Sequence, residues 1–206
     1  MMKRIFVTGI STDVGKTIAA AIVTESLKAD YWKPVQAGDL KNTDSHKLAE
    51  LITNEKTRIH ESSYELKTPM SPHAAAEIDN LIIDISQINE PETTNHLVIE
   101  GAGGLLVPLN EKDTILDIIK ANYQVIVVSR HYLGSINHSL LTIDSLKQKG
   151  FNVAVIFSGN EHPSTEDIII RKTGVKVIGR IEEETNFDKS LIKQYAAKFY
   201  PMLQTL

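Results

Sequence analysis

The residues best suited to do chemistry lie between Gly9 and Thr17, where the chain reads Gly-Ile-Ser-Thr-Asp-Val-Gly-Lys-Thr. A short apolar stretch leads into this loop, and an Ala-rich segment that predicts a helix opening near Gly15 follows it. Backbone N–H groups and the dipole at a helix start favour a bound phosphate. Lys16 can reach the outer phosphates of a nucleotide, and the Thr17 hydroxyl can bind Mg²⁺. The order of strand, loop, Gly-Lys-Thr and helix favours a nucleotide phosphate loop over a chance glycine turn.

A second candidate cluster begins at Glu100, which ends an apolar stretch and is followed by Gly-Ala-Gly-Gly. A carboxylate at the end of a buried strand needs a cation or hydrogen-bond donors, and the glycines let the backbone approach a ligand closely. These features predict that Glu100 binds Mg²⁺ beside the nucleotide, with Thr17 and Asp44 as further oxygen ligands. Asp44 also precedes a periodic helix, so the local sequence favours a helix cap there, and the two roles do not exclude each other.

Three further polar positions have both a structural and a binding interpretation. Lys33 lies among apolar neighbours; alone it reads as a solvated edge-strand lysine, but a nearby phosphate loop favours a role in anion binding. Ser135 follows Gly134 at a predicted helix start, where it can cap the helix or belong to a site for a carboxylate. Asn160 follows an apolar stretch and offers the donor and acceptor that an adenine edge requires, or occupies an ordinary turn.

The composition excludes several classes of protein. The chain has no cysteine, so disulfides, thiolate zinc sites and cysteine nucleophiles are excluded, and its seven histidines are not spaced as paired metal ligands. Its net charge of −4 gives no basic footprint for nucleic acid. Its apolar stretches are too short to span a bilayer. We therefore expect a cytoplasmic chain with neither a nucleic-acid nor a membrane partner.

Apolar, β-branched stretches alternate with helical patterns along the chain, which predicts an α/β fold. We expect a P-loop NTPase-like domain over residues 1–206, with a mostly parallel central sheet flanked by helices on both faces. The predicted strands are 4–8, 31–35, 96–100, 124–129, 153–157 and 175–179. The predicted helices are 15–28, 45–53, 72–77, 84–88, 114–121, 135–149, 164–173 and 188–200. Ligands of such sheets bind at the carboxyl ends of the strands, and the irregular segment 54–91 is expected to cap a substrate site there.

Taken together, the motifs resemble the dethiobiotin synthetase family. The resemblance runs through most of the chain and depends on a combination of short motifs, since no single one is specific. The matching motifs are Val7-Thr8-Gly9 with the long loop to Gly15-Lys16-Thr17, Lys33-Pro34-Val35, Asp44, Ser71-Pro72-His73, Glu100-Gly101-Ala102-Gly103-Gly104, Leu133-Gly134 with Ile136-Asn137-His138, and Asn160.

The resemblance implies a reaction and its partners. Members of this family form a carbamate from 7,8-diaminopelargonate and CO₂, phosphorylate it with ATP, and close a ureido ring with release of ADP and phosphate. The implied cofactors are Mg²⁺ and ATP, the latter as a co-substrate. Family members are homodimers whose substrate lies across the interface, so a homodimer is expected here.

The resemblance also implies roles for single residues. Lys16 would contact the transferred phosphate, Lys33 would steady the carbamate, and Thr12 would lie near both groups. The implied magnesium ligands are Thr17, Asp44 and Glu100. The implied nucleotide-binding positions are Asp13, Val14, Gly15, Lys16, Thr17, Ile18, Asp44, Glu100, Gly101, Ala102, Gly103, Asn160, Glu161 and Glu182. The implied substrate-binding positions are Lys33 and Ala37 together with the helix start at Gly134, Ser135 and Asn137, which would meet the substrate's carboxylate from the partner chain.

The chain departs from the family pattern at three places. Ala37 stands where a hydroxyl residue usually contacts the substrate, so one hydrogen bond is lost or made by water. Tyr132 stands where a lysine is common. The segment Gly179-Arg180-Ile181-Glu182 replaces a Gly-x-Ile-Pro motif on the adenine side, which predicts a looser base pocket.

Two rival functions share a similar phosphate loop. Its five residues between Gly9 and Gly15, where the common pattern has four, restrict the choice to a subset of P-loop enzymes. Switch ATPases of the related deviant P-loop group carry a signature lysine early in this loop, whereas this chain has Ile10, Ser11 and Thr12 there. Amidotransferase-type synthetases of cobalamin biosynthesis add a glutaminase domain with a nucleophilic cysteine, for which this chain has neither the residue nor the length.

Overall fold

The computed structural model describes residues 2–206. In chain order the strands are β1 (Arg4–Gly9), β2 (Asp30–Trp32), β3 (Val35–Ala37), β4 (Ile59–His60), β5 (Tyr64–Leu66), β6 (Leu97–Gly104), β7 (Gln124–Arg130), β8 (Asn152–Ser158) and β9 (Lys176–Ile181). The helices are α1 (Lys16–Leu27), α2 (Asp44–Leu51), α3 (Pro72–Ile78), α4 (Ser135–Gln148), α5 (Pro163–Thr173) and α6 (Lys189–Gln204). Short 3₁₀ turns occupy Ile85–Gln87 and Ile115–Ile118.

Seven strands form the main sheet in the order β4-β2-β6-β1-β7-β8-β9, and every pairing in it is parallel. In the central strand β1, the consecutive residues Ile5, Phe6 and Val7 are all fully buried. Because successive side chains of a strand point to opposite faces, both faces of the sheet are covered. The predicted α/β class with a parallel sheet and helices on both faces is confirmed. None of the helices within residues 2–206 has the length and apolar character needed to cross a bilayer.

The helix after the phosphate loop packs closely because its residues are small. Ala19, Ala20 and Ala21 of α1 are fully buried, and the helix contacts α2 and α6 as well as the central strands. Alanine also has the highest helix propensity. The first turn of α1 is thereby fixed against the strands that carry the other candidate residues.

The predicted second strand, 31–35, is wrong as a single strand. The chain leaves the main sheet after Trp32, and β3 instead pairs with β5 in a separate two-stranded sheet. Pro34 has no N–H to donate to a ladder, and Lys33 therefore lies in the connection between β2 and β3. Strands β4 and β5 were not predicted, since each is only two or three residues long.

Other boundaries also differ from the predictions. The predicted helices 84–88 and 114–121 are short 3₁₀ turns. The last helix continues beyond residue 200 through Pro201. Strand β6 continues to Gly104, so Glu100 lies inside this strand and not at its end as predicted. Its register places Glu100 opposite Val7 of β1, one strand away from the phosphate loop.

Candidate active site

A cleft of about 1060 Å³ opens at the carboxyl ends of the central strands. Its walls come from the phosphate loop, the start of α2, the end of β6 and the loop after β9. The sequence-predicted residues that line it are Thr12, Asp13, Gly15, Lys16, Thr17, Ile18, Lys33, Ala37, Asp44, Glu100, Ala102, Gly103 and Glu182. Most of the candidate residues therefore share one cavity, although they are up to 170 positions apart in the sequence.

The phosphate loop is built around glycine. A side chain at Gly9 would place its Cβ 2.5 Å from Val14, so the loop closes this tightly only because Gly9 has none. Gly15 has φ 91° and is the N-cap of α1, and no side chain caps the first turn. The N-terminal amides of α1 are therefore available to an anion.

Lys16 is buried at the base of this loop, where its Nζ donates to the carbonyl of Ser11 at 3.0 Å. Burial lowers the pKa of the Lys16 ammonium to about 8, although the nearby Glu100 counteracts part of the fall. An anion bound in the cleft would favour the charged form of this lysine.

Glu100 is the centre of the site. Its side chain is 1% exposed and accepts hydrogen bonds from Thr17 at 2.9 Å, Tyr31 at 2.8 Å and Lys33 at 3.1 Å. The donors come from α1, from β2 and from the connection that follows β2. A buried carboxylate with three donors is well satisfied.

Lys33 joins the two candidate metal-ligand carboxylates, since its ammonium pairs with both Glu100 and Asp44. It is 4% exposed, so the interpretation as a solvated edge-strand lysine is wrong. Burial works against the charge, but Glu100 and Asp44 outweigh it and raise the pKa of Lys33. Burial likewise works against the Asp44 carboxylate, but Lys33 holds its pKa below the usual value. Both groups therefore stay charged.

The residue that caps α2 is Thr43 rather than Asp44. The Thr43 side chain accepts from the amide of His46 at 3.2 Å, and Asp44 is the first residue of the helix. Asp44 therefore does not cap the helix, although its local sequence favours that role. Its carboxylate instead contacts Lys33 and Thr17.

Thr17, Asp44 and Glu100 fit a magnesium ion by their chemistry. They offer one hydroxyl and two carboxylates, which are hard oxygen donors, and Mg²⁺ in nucleotide sites takes few protein ligands besides phosphate oxygens. Within residues 2–206, no three His, Cys, Asp or Glu side chains come together as a metal site. The protein alone thus supplies a partial ligand set, which a bound triphosphate would complete.

Some predicted residues do not line the cleft. Val14 and Gly101 are buried beneath it, and Asn160 and Glu161 are exposed beyond the end of β8. Gly134, Ser135 and Asn137 form the start of α4, away from the cleft in this single chain. Gly134, with φ 100°, is the N-cap of that helix, so the interpretation of Ser135 as its cap is wrong.

Other residues of the site were missed by the sequence analysis. Tyr31 binds Glu100 and lies two positions before Lys33, so strand alternation would have placed both on one side. The Gln36 side chain donates to the carbonyl of Gly38 at 2.9 Å and lines the cleft. Arg130 binds Glu183 on the rim of the cleft. This last pair joins residues 53 positions apart, for which the sequence gives no signal.

Comparisons with known proteins show which family this chain resembles. Residues 3–190 match a family described as AAA domain. The chain is 58% identical to the ATP-dependent dethiobiotin synthetase BioD of Christiangramia forsetii over 97% of both chains. It is 46% identical to the protein of the same name from Cytophaga hutchinsonii, over 97% of this chain and 98% of that one.

The fold is also found among distant structures. A ParA family ATPase from Chlorobium tepidum superposes with a TM-score of 0.60 at 13% identity, over 99% of this chain and 100% of that chain. At this identity the likeness concerns the fold alone, which is that of P-loop NTPases. The identity to the curated relatives, which extends over nearly the whole chain, is specific to one group within that fold. The chain therefore belongs to the dethiobiotin synthetase family.

Proposed function

We propose that this protein is an ATP- and Mg²⁺-dependent cyclo-ligase that converts 7,8-diaminopelargonate and CO₂ to dethiobiotin, with release of ADP and phosphate. The observation that supports this most strongly is the convergence of Lys16, Lys33, Asp44 and Glu100 on one cleft. The reaction passes through strongly anionic species, and this cleft holds two ammonium groups beside an oxygen ligand set for a divalent ion.

The proposed reaction has three steps. One amine of the substrate adds to CO₂ and loses a proton, giving a carbamate. A carbamate oxygen then attacks the γ-phosphorus of ATP, and the bond to the ADP oxygen breaks. The second amine finally attacks the carbonyl carbon of the carbamic-phosphoric anhydride, phosphate leaves, and the ureido ring closes. Each step needs two groups held in line, which is worth about 7–11 kcal/mol when the geometry is fixed.

We assign the charged residues by their position in the cleft. Lys16 and the free amides of α1 bind the transferred phosphate, and Lys33 holds the carbamate oxygens. Thr12, which is exposed in the phosphate loop, lies where it can contact both groups. Thr17, Asp44 and Glu100 would hold Mg²⁺, which would neutralise charge on the phosphates. The exposed Asp13 and the backbone of Gly15 and Ile18 are assigned to further contacts with the nucleotide.

The proposal includes a homodimer, with substrate bound between the two chains. Leu133 is fully exposed, and Tyr132 and Ile136 are more than one third exposed, at the start of α4. A cluster of exposed apolar side chains beside a helix N-terminus suits an interface that also binds a carboxylate. We assign Gly134, Ser135 and Asn137 to the substrate of the partner chain, and place the enzyme in the cytoplasm with its small-molecule substrates.

One assay tests the proposed function. Purified protein is incubated with diaminopelargonate, bicarbonate, Mg²⁺ and ATP, and the products are identified by mass. We expect dethiobiotin, together with one ADP for each ring closed. Omission of the diamine serves as the control. ADP formed at the same rate without the diamine, and no dethiobiotin with it, would refute the proposal in favour of a simple ATPase.

A further inference from the structure

The loop after β9, residues 182–187, forms one wall of the cleft. It has no regular secondary structure of its own and joins β9 to α6. Loops of this kind are mobile unless their side chains or backbone are tied to the fold. The first three residues of the loop are Glu182, Glu183 and Glu184. Their carboxylates repel one another and would repel a polyphosphate. The position of this wall therefore depends on what binds these glutamates.

Each of the three glutamates has a partner from a different element. Nε of Arg180, in β9, lies 3.5 Å from Glu182. Arg130, at the end of β7, donates to both oxygens of Glu183 at 2.9 Å.

The third partner belongs to α6. The hydroxyl of Tyr195 donates to Glu184 at 2.7 Å and accepts from the amide of Glu182 at 3.0 Å. The loop is thus fixed to three parts of the fold through side chains and backbone.

Arg180 is itself held by a buried carboxylate. It forms a bidentate pair with Glu166 of α5, and Glu166 also binds the ring of His131 at 2.7 Å. Nη2 of Arg180, which also donates to Glu166, lies 3.6 Å from Glu161 in the segment that follows β8. A guanidinium with a fixed fork geometry joins α5 to the two segments beyond β8 and β9.

We propose that Arg180 and Tyr195 are positioning residues for the nucleotide, which hold residues 182–187 as a preformed wall for the base of ATP. This inference rests on the proposed function, with Glu182 taken as one of the nucleotide-binding positions that the family resemblance implies; Glu182 lines the same cleft as the phosphate loop. Preorganisation improves affinity since the loop need not be ordered on binding. The arginine also offsets carboxylate charge that would otherwise repel the nucleotide. In this chain the two side chains replace the rigidity that a proline at position 182 would give.

The test compares a ligand that has a base with one that has none. Dissociation constants for ATP and for inorganic tripolyphosphate are measured with Mg²⁺, by calorimetry and by competition, on wild type, Arg180→Met and Tyr195→Phe. Tyr195→Phe changes no charge and keeps the ring that packs edge-on against Phe199. Arg171→Ala, on the exposed end of α5, is the matched control.

We expect both variants to bind ATP about tenfold more weakly, as loss of a charge-assisted or buried hydrogen bond predicts. Tyr195→Phe should leave the dissociation constant for tripolyphosphate unchanged within about twofold. At saturating ATP, kcat and the KM for the diamine should stay within about threefold of wild type. Hydrogen exchange at residues 182–187 should accelerate in both variants, while β8 and the control remain as in wild type.

Two results would overturn the inference. One is unchanged ATP affinity in both variants. The other is an equal loss of ATP and tripolyphosphate affinity in Tyr195→Phe, which would mean that the phosphate site itself has been disturbed. If Arg180→Met does not fold, Tyr195→Phe alone decides the matter. If the wild type binds ATP but makes no dethiobiotin, the proposed function is refuted. The role of residues 182–187 in ATP binding is then still decided by the dissociation constants of the variants.

Discussion

The ammonium of Lys33 lies 3.1 Å from Oε1 of Glu100, and the two side chains are only 5% and 1% exposed. The pair joins a connecting segment to the interior of β6. A buried charge is tolerated in a protein only when an opposite charge and hydrogen bonds satisfy it. Lys33 and Glu100 therefore depend on each other for stability, and both line the cleft.

Replacement of Lys33 by Met should separate these two roles. The variant keeps the length of the side chain but leaves Glu100 without its cation, which costs about 3–5 kcal/mol of stability. It should lower kcat for ring closure by about 10²- to 10³-fold, as loss of one preorganised charge does, with ATP affinity within about threefold of wild type. Urea unfolding, turnover and ATP binding measure the three effects. Lys149→Met, at the exposed residue that follows α4, is the control. Equal losses in turnover and ATP binding would argue for a purely structural role.

Replacement of Glu100 by Gln should raise the magnesium requirement. The amide keeps the shape of the side chain but loses the negative charge that suits a divalent ion. The Mg²⁺ concentration that gives half-maximal activity should rise at least about tenfold, since even outer-shell partners of a metal have effects of this size. A magnesium titration at fixed ATP measures it, with Glu111→Gln as an exposed control. An unchanged titration would remove Glu100 from the metal site.

Replacement of Lys16 by Met should abolish phosphoryl transfer and yet stabilise the nucleotide-free protein. The pKa of Lys16 falls from 10.5 to about 8 in the fold, so below pH 8 the folded protein bears the cost of a buried charge. Each pKa unit corresponds to about 1.4 kcal/mol, which gives a gain of up to about 3 kcal/mol. The lost hydrogen bond to Ser11 reduces it by about 1 kcal/mol.

The sign of the pH dependence follows from proton binding. Between pH 8 and 10.5 the unfolded chain binds more protons at Lys16 than the folded one, so wild-type stability from this group rises with pH. The advantage of Lys16→Met should accordingly be largest below pH 8 and vanish near pH 10.5. Unfolding by urea at pH 7, 8, 9 and 10 measures it, with Lys149→Met as the control. A difference that does not change with pH would contradict the buried-charge explanation.

The phosphate loop and the parallel sheet could be predicted because local sequence determines them. Gly9, Gly15 and Lys16 act through backbone geometry and a helix start, and buried strands such as β7 are continuous apolar stretches. The break after Trp32 could not be predicted, because the pairing of β3 with the distant β5 competes with extension of β2. The sequence analysis also could not identify Thr43 as the cap in place of Asp44, since both residue types cap helices well.

The contacts that hold the loop after β9 show a second limit of prediction from sequence. Arg130 and Glu183 are 53 positions apart, and their contact exists because β7 and β9 flank the same strand, β8. Neither residue belongs to a recognisable motif. That Glu182 stands where the family usually has a proline was visible in the sequence, but the side chains that contact this loop became visible only in the fold.

Replacement of Ala37 by Ser should restore a hydroxyl that this chain lacks. Ala37 is partly buried and lines the cleft, so an added hydroxyl would face bound substrate. A neutral hydrogen bond is worth about 0.5–1.5 kcal/mol, and the KM for the diamine should fall about two- to tenfold while the KM for ATP stays constant. Steady-state kinetics with each substrate varied measures this, and Ala49→Ser on the exposed face of α2 is the control. A KM for the diamine that rises would mean that the site has no room for the hydroxyl.

A mixing experiment should decide whether one site is built from two chains. Lys33 lies in the cleft of one chain, whereas the start of α4 lies outside that cleft, and we assign it to the partner's substrate. Asn137→Asp adds a negative charge that would repel the substrate carboxylate, and it should raise the KM for the diamine about tenfold or more.

Lys33→Met and Asn137→Asp are then each nearly inactive at low diamine concentration. If the two variants are unfolded and refolded together as dimers, half of the dimers are mixed, and each mixed dimer contains one intact site and one doubly altered site. Activity should recover to about one quarter of the wild-type value. Recovery requires that the two residues serve the same site from different chains. A mixture no more active than its separate components, with mixed dimers demonstrated by mass, would place the whole site within a single chain.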